Sequence, residues 1–527
     1  MFHRHTGRRA LITAVLVTGG LVVSGCAADD APAPDDPAAA AAGGDLNIQY
    51  FGDVVTLDPA LSGQGPSANI IAFAYDPLIY MTPQGDYIPD LAVEWGYADD
   101  ENTVFEFTLR DGVTFAGGAD LDADAAVASM EYFLSSGGGA VAEVGEIDTV
   151  EAIDDATVRI TYAEPFPHAP WTLSQYIKFG SIIGPDGLED PSTLSTEMDG
   201  AGQYIFNADE SVSNATYVFD RNPDYWNPEA QMYERVTVQA ITDENAALSA
   251  IQTGQVDYTL GAPGTLDAAE AAGIEVLQVP FFNWGIHIAD RSGDIVPALE
   301  DPQVREAIAL SIDRQAIVDA IAPKTAQPSS QIMNEGAIGF VDGLEYPYDP
   351  DRARELLADA GYADGFSMPI LSTNALDQNA IRAQAIVSYL EDIGIDVELT
   401  ADSTGVSGFV EKAQSGEYAA TIFPMSGTTM GLLYQTLRSG PRNPSATLDD
   451  EMESLFDESV TLDDEARLSL YEQMSERAYE TAWHIPVFTA NDLHYVGSDL
   501  AGVEVTNLNP IPITVAPDPD FAWHPAG

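Results

Sequence analysis

Alternating apolar and polar side chains mark residues 103–109, TVFEFTL, as a strand with Phe105, Phe107 and Leu109 on one face. The Asp-Asp-Glu-Asn before it reads as a turn after the segment 91–97. Farther on, ERVTVQAI predicts a strand, Asp243 caps a helix through about Thr253, and Gly254 stops it. VDYTL predicts the next strand, residues 268–272 a short helix, and IEVLQVP a third strand. A β-α-β-α-β run of this kind predicts parallel pairing through right-handed crossovers.

A second run begins after residue 280. Asp301-Pro302 is a cap followed by proline at the first helical position, and Val304, Ala307, Ile308 and Ile312 then line one face. Asp349-Pro350 repeats the device before Ala353, Leu356, Leu357 and Ala360, with Gly361 as the stop. FSMPIL, a helix over 379–393, IDVEL, a helix around 406–414 and YAATIF complete a second α/β unit. Two such lobes, with C-terminal strands returning to the first, enclose a cleft. Ligands of open α/β sheets sit beyond the carboxyl ends of the strands, which points at the loops 52–63, 261–263 and 424–430.

The N-terminus changes the picture of where this body works. Residues 1–9 carry Arg4, Arg8 and Arg9 and no acid, and 10–23 are almost wholly apolar. That stretch is shorter than the roughly 20 residues a membrane span needs and fits a secretory signal peptide, residues 1–25. Val23-Ser24-Gly25-Cys26 resembles a lipobox, in which Cys26 becomes the lipidated mature N-terminus. The plainer alternative is an ordinary signal peptide with an incidental cysteine; the residues around Arg8-Arg9 do not fit twin-arginine export. Residues 26–44 have no aromatic or large aliphatic side chain and predict a disordered tether, with a reach on the order of 23 Å. Cys26 is the sole cysteine, so no intrachain disulfide is available, and no later stretch of 18 apolar residues occurs.

Some 480 residues follow the tether, enough for two or three cores. The formal charge is −64, and cleavage before Cys26 leaves 84 acids against 17 bases, a net of −67. Such a field excludes nucleic acid and anionic head groups as partners. Salt adaptation or an acid-biased proteome accounts for it without any function.

The motifs "VVTLDPA", "YDPLIYMTPQGDYIPDLAVEW", "FEFTLRDGVTFAGG", "GAGQY", "RNPDYWNPEA", "ALSAIQTGQVDY", "DPQVREAIALSIDRQAIV", "YPYDPDRARELLADAGYADGF" and "LEDIGIDVEL" occur in this order. Together they resemble the family 5 extracellular solute-binding proteins of ABC importers, the peptide, nickel and opine receptors. The resemblance implies an α/β, two-lobed periplasmic-binding-protein-like fold of type II, with three subdomains and the ligand cleft between lobes. It implies a monomer without a cofactor, partnered by a small solute or peptide and by ABC permease and ATPase subunits. The protein would sit at the extracellular face of the plasma membrane, held by lipid alone. Most of these motifs are scaffold: Gly112 and Gly117-Gly118 mark turns, and Asn222 through Trp226 brace a corner. The expected lobes are 45–68 with 190–280 and 489–527, an excursion 69–189, and 281–488, crossing near Pro280 and Phe488.

Enzyme chemistry finds little footing. The histidines at 168, 287, 484, 494 and 524 are scattered, and no H-E-x-x-H, phosphate loop or nucleophile elbow occurs. Acid pairs are too common here to single out a hydrolase, and "DLDAD" lacks the spacing of a calcium loop. A ligand sensor without transport has the same sequence signature as an importer subunit. For the cargo, peptide-binding relatives place an aspartate in the loop after the strand that corresponds to YAATIF. Here that loop, Met425-Ser426-Gly427-Thr428-Thr429-Met430, has no acid. Either the ammonium is held elsewhere, with Asp290 as one candidate, or the ligand has no free amine to hold. The methionines Met425 and Met430 offer apolar contact and Ser426, Thr428 and Thr429 neutral hydrogen bonds. Phe281, Phe282 and Trp284 offer a stacking face, or serve as core aromatics of their strand. A peptide is the expected cargo, a neutral oligosaccharide the alternative; nickel is disfavoured because no histidine falls in the three loops.

Overall fold

The computed structural model describes residues 43–527 apart from 51–53, 55, 63–69, 426, 428, 439–441, 463, 510–511 and 513. The signal segment, Cys26 and all but the last two residues of the tether lie outside the described residues.

Aspartates start many of the helices. The side chains of Asp122, Asp243, Asp301, Asp313, Asp349 and Asp449 each accept a backbone N–H in the first turn of the helix that follows. Each satisfies a donor that the helix itself leaves open, and its charge meets the positive end of the helix dipole. Part of the acidity of the chain is therefore structural. Pro302 and Pro350 follow their caps as expected, and the chain leaves the second of these helices through Gly361 at φ 93°.

One sheet of eleven strands runs through the body. In spatial order it contains Ile395–Asp402, Phe366–Thr373, Ala420–Met425, Glu275–Ile288, His484–Val496, Tyr258–Leu260, Asp45–Tyr50, Arg235–Ala240, Thr216–Arg221 and Tyr204–Phe206. Ala326–Pro328 adds to the other edge of His484–Val496. The strands of the second run pair directly, with Phe366–Thr373 parallel to both Ile395–Asp402 and Ala420–Met425. Those of the first run do not. Asp45–Tyr50 lies between Arg235–Ala240 and Tyr258–Leu260, and His484–Val496 lies between Tyr258–Leu260 and Glu275–Ile288. The three run parallel as the periodicity predicts, but strands distant in sequence occupy the places between them.

Glu275–Ile288 and His484–Val496 hold the sheet together. They pair antiparallel from Glu275 opposite Val496 to His287 opposite His484. The register shifts between Pro280 and Phe282 and again between Trp284 and Gly285, where a Cβ on Gly285 would lie 2.4 Å from the carbonyl oxygen of Ile485. Irregularities of this kind bend a strand pair. On either side of them the apolar cores are separate. One core takes all its buried members from Trp284 to Phe488, another from Ala60 to Ala201, and a third from Leu46–Tyr75, Ile183–Tyr258 and Val496–Trp523. The second core packs under a four-stranded antiparallel sheet in the order Ala92–Tyr97, Val104–Leu109, Thr157–Tyr162, Ile147–Ala152. Phe105, Phe107 and Leu109 are all buried there, as their alternation predicts.

The brace at Tyr225-Trp226 holds a buried acid pair. Asp76 and Asp90 are 3% and 1% exposed and share a hydrogen bond between their side chains. Asp76 Oδ2 also accepts from Tyr225 Oη at 2.6 Å and Trp226 Nε1 at 3.4 Å. Arg110 lies 3.8 Å over the Trp226 ring and donates to the carbonyl of Asp90 at 2.9 Å. Burial pushes Asp76 up to about 7 despite its donors, and burial with the neighbouring Asp76 pushes Asp90 well above the carboxylate range. Two carboxyls this close retain a proton. Protons held in the folded state but released by the unfolded chain make stability fall as pH rises from about 4, until Asp76 and Asp90 have both titrated. Asp90→Asn keeps a donor toward Asp76 without the titration. Thermal melts from pH 5 to pH 8 should therefore favour the variant increasingly over the wild type; parallel curves would rule this reading out.

Candidate functional site

The register of the central strands fixes where strand ends meet. Tyr258–Leu260 lies with Leu260 opposite His494, so its carboxyl end faces the crossing at Pro280–Phe282, and the parallel Asp45–Tyr50 points the same way. From the other side, Ala420–Met425 ends with Met425 beside Asn283, and the parallel Phe366–Thr373 and Ile395–Asp402 share its direction. Carboxyl ends from both halves of the sheet therefore converge on the crossing, the position at which open α/β sheets bind ligands.

The expected ligand residues divide sharply there. Phe281 and Phe282 sit at the crossing, half-buried, with ring centroids 4.5 Å apart, and the Phe281 carbonyl accepts from Asn334 Nδ2 at 2.9 Å. Trp284 is no stacking face for a solute. It is 3% exposed, its ring lies stacked 6.2 Å from Phe488, and Arg382 covers it at 5.1 Å. Both faces of this strand are buried, so Trp284 packs with the core on its own side.

Asp290 cannot anchor an ammonium. It is buried beyond the far end of the strand, and its carboxylate accepts the backbone N–H groups of Asp294, Ile295 and Val296 at 2.8, 2.9 and 2.7 Å. Met425, at the end of its strand, and Met430 are buried with Leu433, Tyr434, Phe456 and Met474 and offer no surface to a solute. Thr429 caps the helix Met430–Leu437 by accepting from Leu432 N at 3.2 Å. Both methionines pack into that core. Ser426 and Thr428 lie outside the described residues.

Other contacts join residues of 102–178 to residues of 442–467. Asn102 Nδ2 donates to the carbonyl of Val460 at 2.9 Å. Glu143 acts electrostatically on both Lys178 and Arg442, and Arg467 on His168. Burial, opposed by Glu143, brings the Lys178 ammonium down to about 8, and Lys178 adopts φ 62°. His287 and His484, scattered in sequence, face each other across the long strands with ring centroids 6.0 Å apart. His287 Nε2 donates to the carbonyl of Arg442. Burial, then nearby arginine charge, holds His484 at about 3 and His287 well below its ordinary value, so both are neutral. His287 Nδ1 and both ring nitrogens of His484 are buried without a hydrogen-bond partner. Among the described residues no group of three metal-ligating side chains comes together.

A cavity of about 530 Å³ opens beside the crossing, walled by Arg314, Ser329, Gln331, Asn334, Tyr346 and Thr489 among others. Its walls come from residues 312–348 and from Thr489, which pairs with Asn283 next to the crossing.

A family model described as bacterial extracellular solute-binding proteins, family 5 Middle, matches residues 86–440. The glutathione-binding protein GsiB of Salmonella paratyphi A is 26% identical over 381 residues, covering 69% of this chain and 71% of its own. Among solved structures, the periplasmic binding protein DppA from Helicobacter pylori, in complex with the peptide STSA, superposes with a TM-score of 0.74 at 23% identity. That match covers 92% of this chain and 98% of the other. NikA from Brucella suis, in complex with Fe(III)-EDTA, gives a TM-score of 0.76 at 20% identity, over 89% and 98% of the two chains. The fold is thus the two-lobed α/β fold of periplasmic binding proteins.

Proposed function

Because this chain belongs to the bacterial extracellular solute-binding proteins of family 5, substrate-binding proteins of ABC transporters and not enzymes, we propose that it captures a peptide or peptide-like solute for an ABC importer. The convergence of strand ends on a crossing made of two strands carries this reading, because it gives one ligand space two walls that can move. In this reading the lobes are 45–68 with 190–280 and 489–527 on one side and 281–488 on the other, with 69–189 as an excursion from the first. Phe281 and Phe282 lie at the hinge. The names of relatives favour peptides: a glutathione-binding protein, a probable peptide transporter component and a peptide-loaded DppA.

One observation favours a narrower cargo. The described part of the 425–430 loop has no acid, and Asp290 is occupied by backbone, so neither holds a free ammonium. A peptide blocked at its amine fits this, as does a neutral oligosaccharide. Calorimetry with a free-amine peptide, its acetylated twin and a set of sugars separates the cases. The expected result is peptide binding that survives acetylation; binding that acetylation abolishes would contradict the narrower cargo, and binding of sugars alone the peptide class.

We also propose that Cys26 carries lipid and holds the protein at the outer face of the plasma membrane. Cys26→Ala should appear in the soluble fraction. A signal-cleaved variant that stays with membranes would contradict the anchor.

A further inference from the structure

The cavity of about 530 Å³ lies within the range of small-molecule sites, about 300–1,000 Å³. The segment 327–348 that forms most of its walls is fastened to itself and to the core. The Gln331 side chain donates to the Val341 carbonyl at 2.7 Å and accepts the Val341 N–H at 3.0 Å. Tyr346 N donates to Ser330 Oγ at 3.0 Å, and the Tyr346 ring stacks on Tyr479 with centroids 4.1 Å apart. Among the described residues none of the walls comes from 45–280.

Arg314 supplies one wall and is 6% exposed. Its Nε donates to the carbonyls of Ser329 and Pro486, each at 3.0 Å, and its Nη1 to those of Ala309 and Ile312 at 3.0 and 3.3 Å. Nη2 is buried with no partner. It shares an edge of the guanidinium with Nε, and Nε reaches Ser329, itself a wall residue. The open donor is thus turned to the cavity side, and a buried donor requires an acceptor.

The rest of the lining decides what brings that acceptor. Asp313, Glu335 and Glu345 outnumber the single guanidinium, so an anion would enter against net negative charge. A cation meets the Arg314 charge, which no carboxylate offsets, since all four of its hydrogen bonds go to carbonyls. Asp313 is committed to its helix, accepting Ala316 N at 2.9 Å, and Glu335 and Glu345 are exposed. An apolar molecule would leave Nη2 unmet. A neutral molecule rich in hydroxyls satisfies every wall: its oxygens accept from Arg314, and its O–H groups donate to the exposed carboxylates and to the amide oxygens of Gln315 and Gln327. Tyr348, 49% exposed, adds a ring face.

We propose that this cavity is a second binding site, for a neutral sugar or polyol, in which Arg314 Nη2 donates to a ligand oxygen. The site goes beyond the cargo reading and fills whether or not a peptide is bound.

Calorimetry with trehalose, glucose and sorbitol, and with glycine betaine and succinate as charged controls, tests the proposal. The wild type should bind at least one of the neutral three and neither control; trehalose or glucose identifies a sugar, sorbitol alone a linear polyol. Gln315 is exposed on the first turn of its helix, so Gln315→Trp fills the cavity mouth without disturbing the core and should lose this binding. Arg314→Lys should weaken it roughly 10- to 100-fold, the loss expected for a charged hydrogen-bond partner, with thermal melts establishing that the variant is folded. Peptide affinity should be the same in Gln315→Trp as in the wild type. Absence of sugar and polyol binding, or binding of betaine or succinate in their place, would overturn the assignment and leave the peptide reading intact. Sugar binding that Gln315→Trp leaves unchanged would place the sugar elsewhere and overturn the site. Loss of peptide and sugar binding together in Gln315→Trp would make the cavity part of the cargo site and overturn a second one.

Discussion

Replacing Asp290 by alanine should destabilise the protein by about 1–3 kcal/mol while leaving the affinity of the folded fraction for its solute unchanged. The carboxylate accepts three consecutive backbone N–H groups, those of Asp294, Ile295 and Val296. Val296 is buried, and the turn delivers Ala298 and Leu299 into the core around Trp284 and Ile308. With the side chain gone, the partly exposed donors of the turn can find water and the buried one cannot, at roughly 1–3 kcal/mol for each buried donor left unmet. Asp290→Asn retains one acceptor oxygen and should fall between wild type and alanine. Urea unfolding supplies the stabilities and calorimetry the affinities. An ammonium anchor would give the opposite pattern, with Asp290→Asn stable but unable to bind an amine-bearing peptide.

Asp290 also shows where sequence reasoning reaches its limit. The stretch DRSGDIV contains the signature of an aspartate that folds the chain back on itself, with Gly293 supplying a left-handed residue at φ 73°. A search for a charge partner passes over that signature, because it asks what lies across space and not what lies four to six residues on. The helices were legible for the opposite reason. Their caps and apolar faces are local, and Asp243, Asp301 and Asp349 begin helices where the chain suggests.

Strand order was not local and could not be read. Nothing in IEVLQVP indicates that the returning strand His484–Val496 separates it from VDYTL. The same gap hid the pairing of His287 with His484, which only the antiparallel register reveals. Trp284 was ambiguous because alternation distinguishes faces only when one of them is wet, and from Asn283 to Ile288 every residue is buried.

Closure of two lobes on a solute follows from the proposed function, and the separation of their apolar cores favours it. The cores around Trp284–Phe488 and around Leu46–Tyr75 share no buried member. The described polar contacts between the two sides include Asn102 with Val460, Asn507 with the carbonyl of Glu335, and exposed ion pairs from Lys324 to Asp267 and Glu270. Exposed pairs of this kind hold weakly. Two strands with a register shift at Pro280–Phe282 remain as the continuous link, the form a hinge takes in domain closure. Small-angle scattering on the purified protein, with and without a peptide at a concentration that calorimetry shows to be saturating, measures this directly. A smaller radius of gyration in the bound state is the predicted result; an unchanged radius at full occupancy would contradict it.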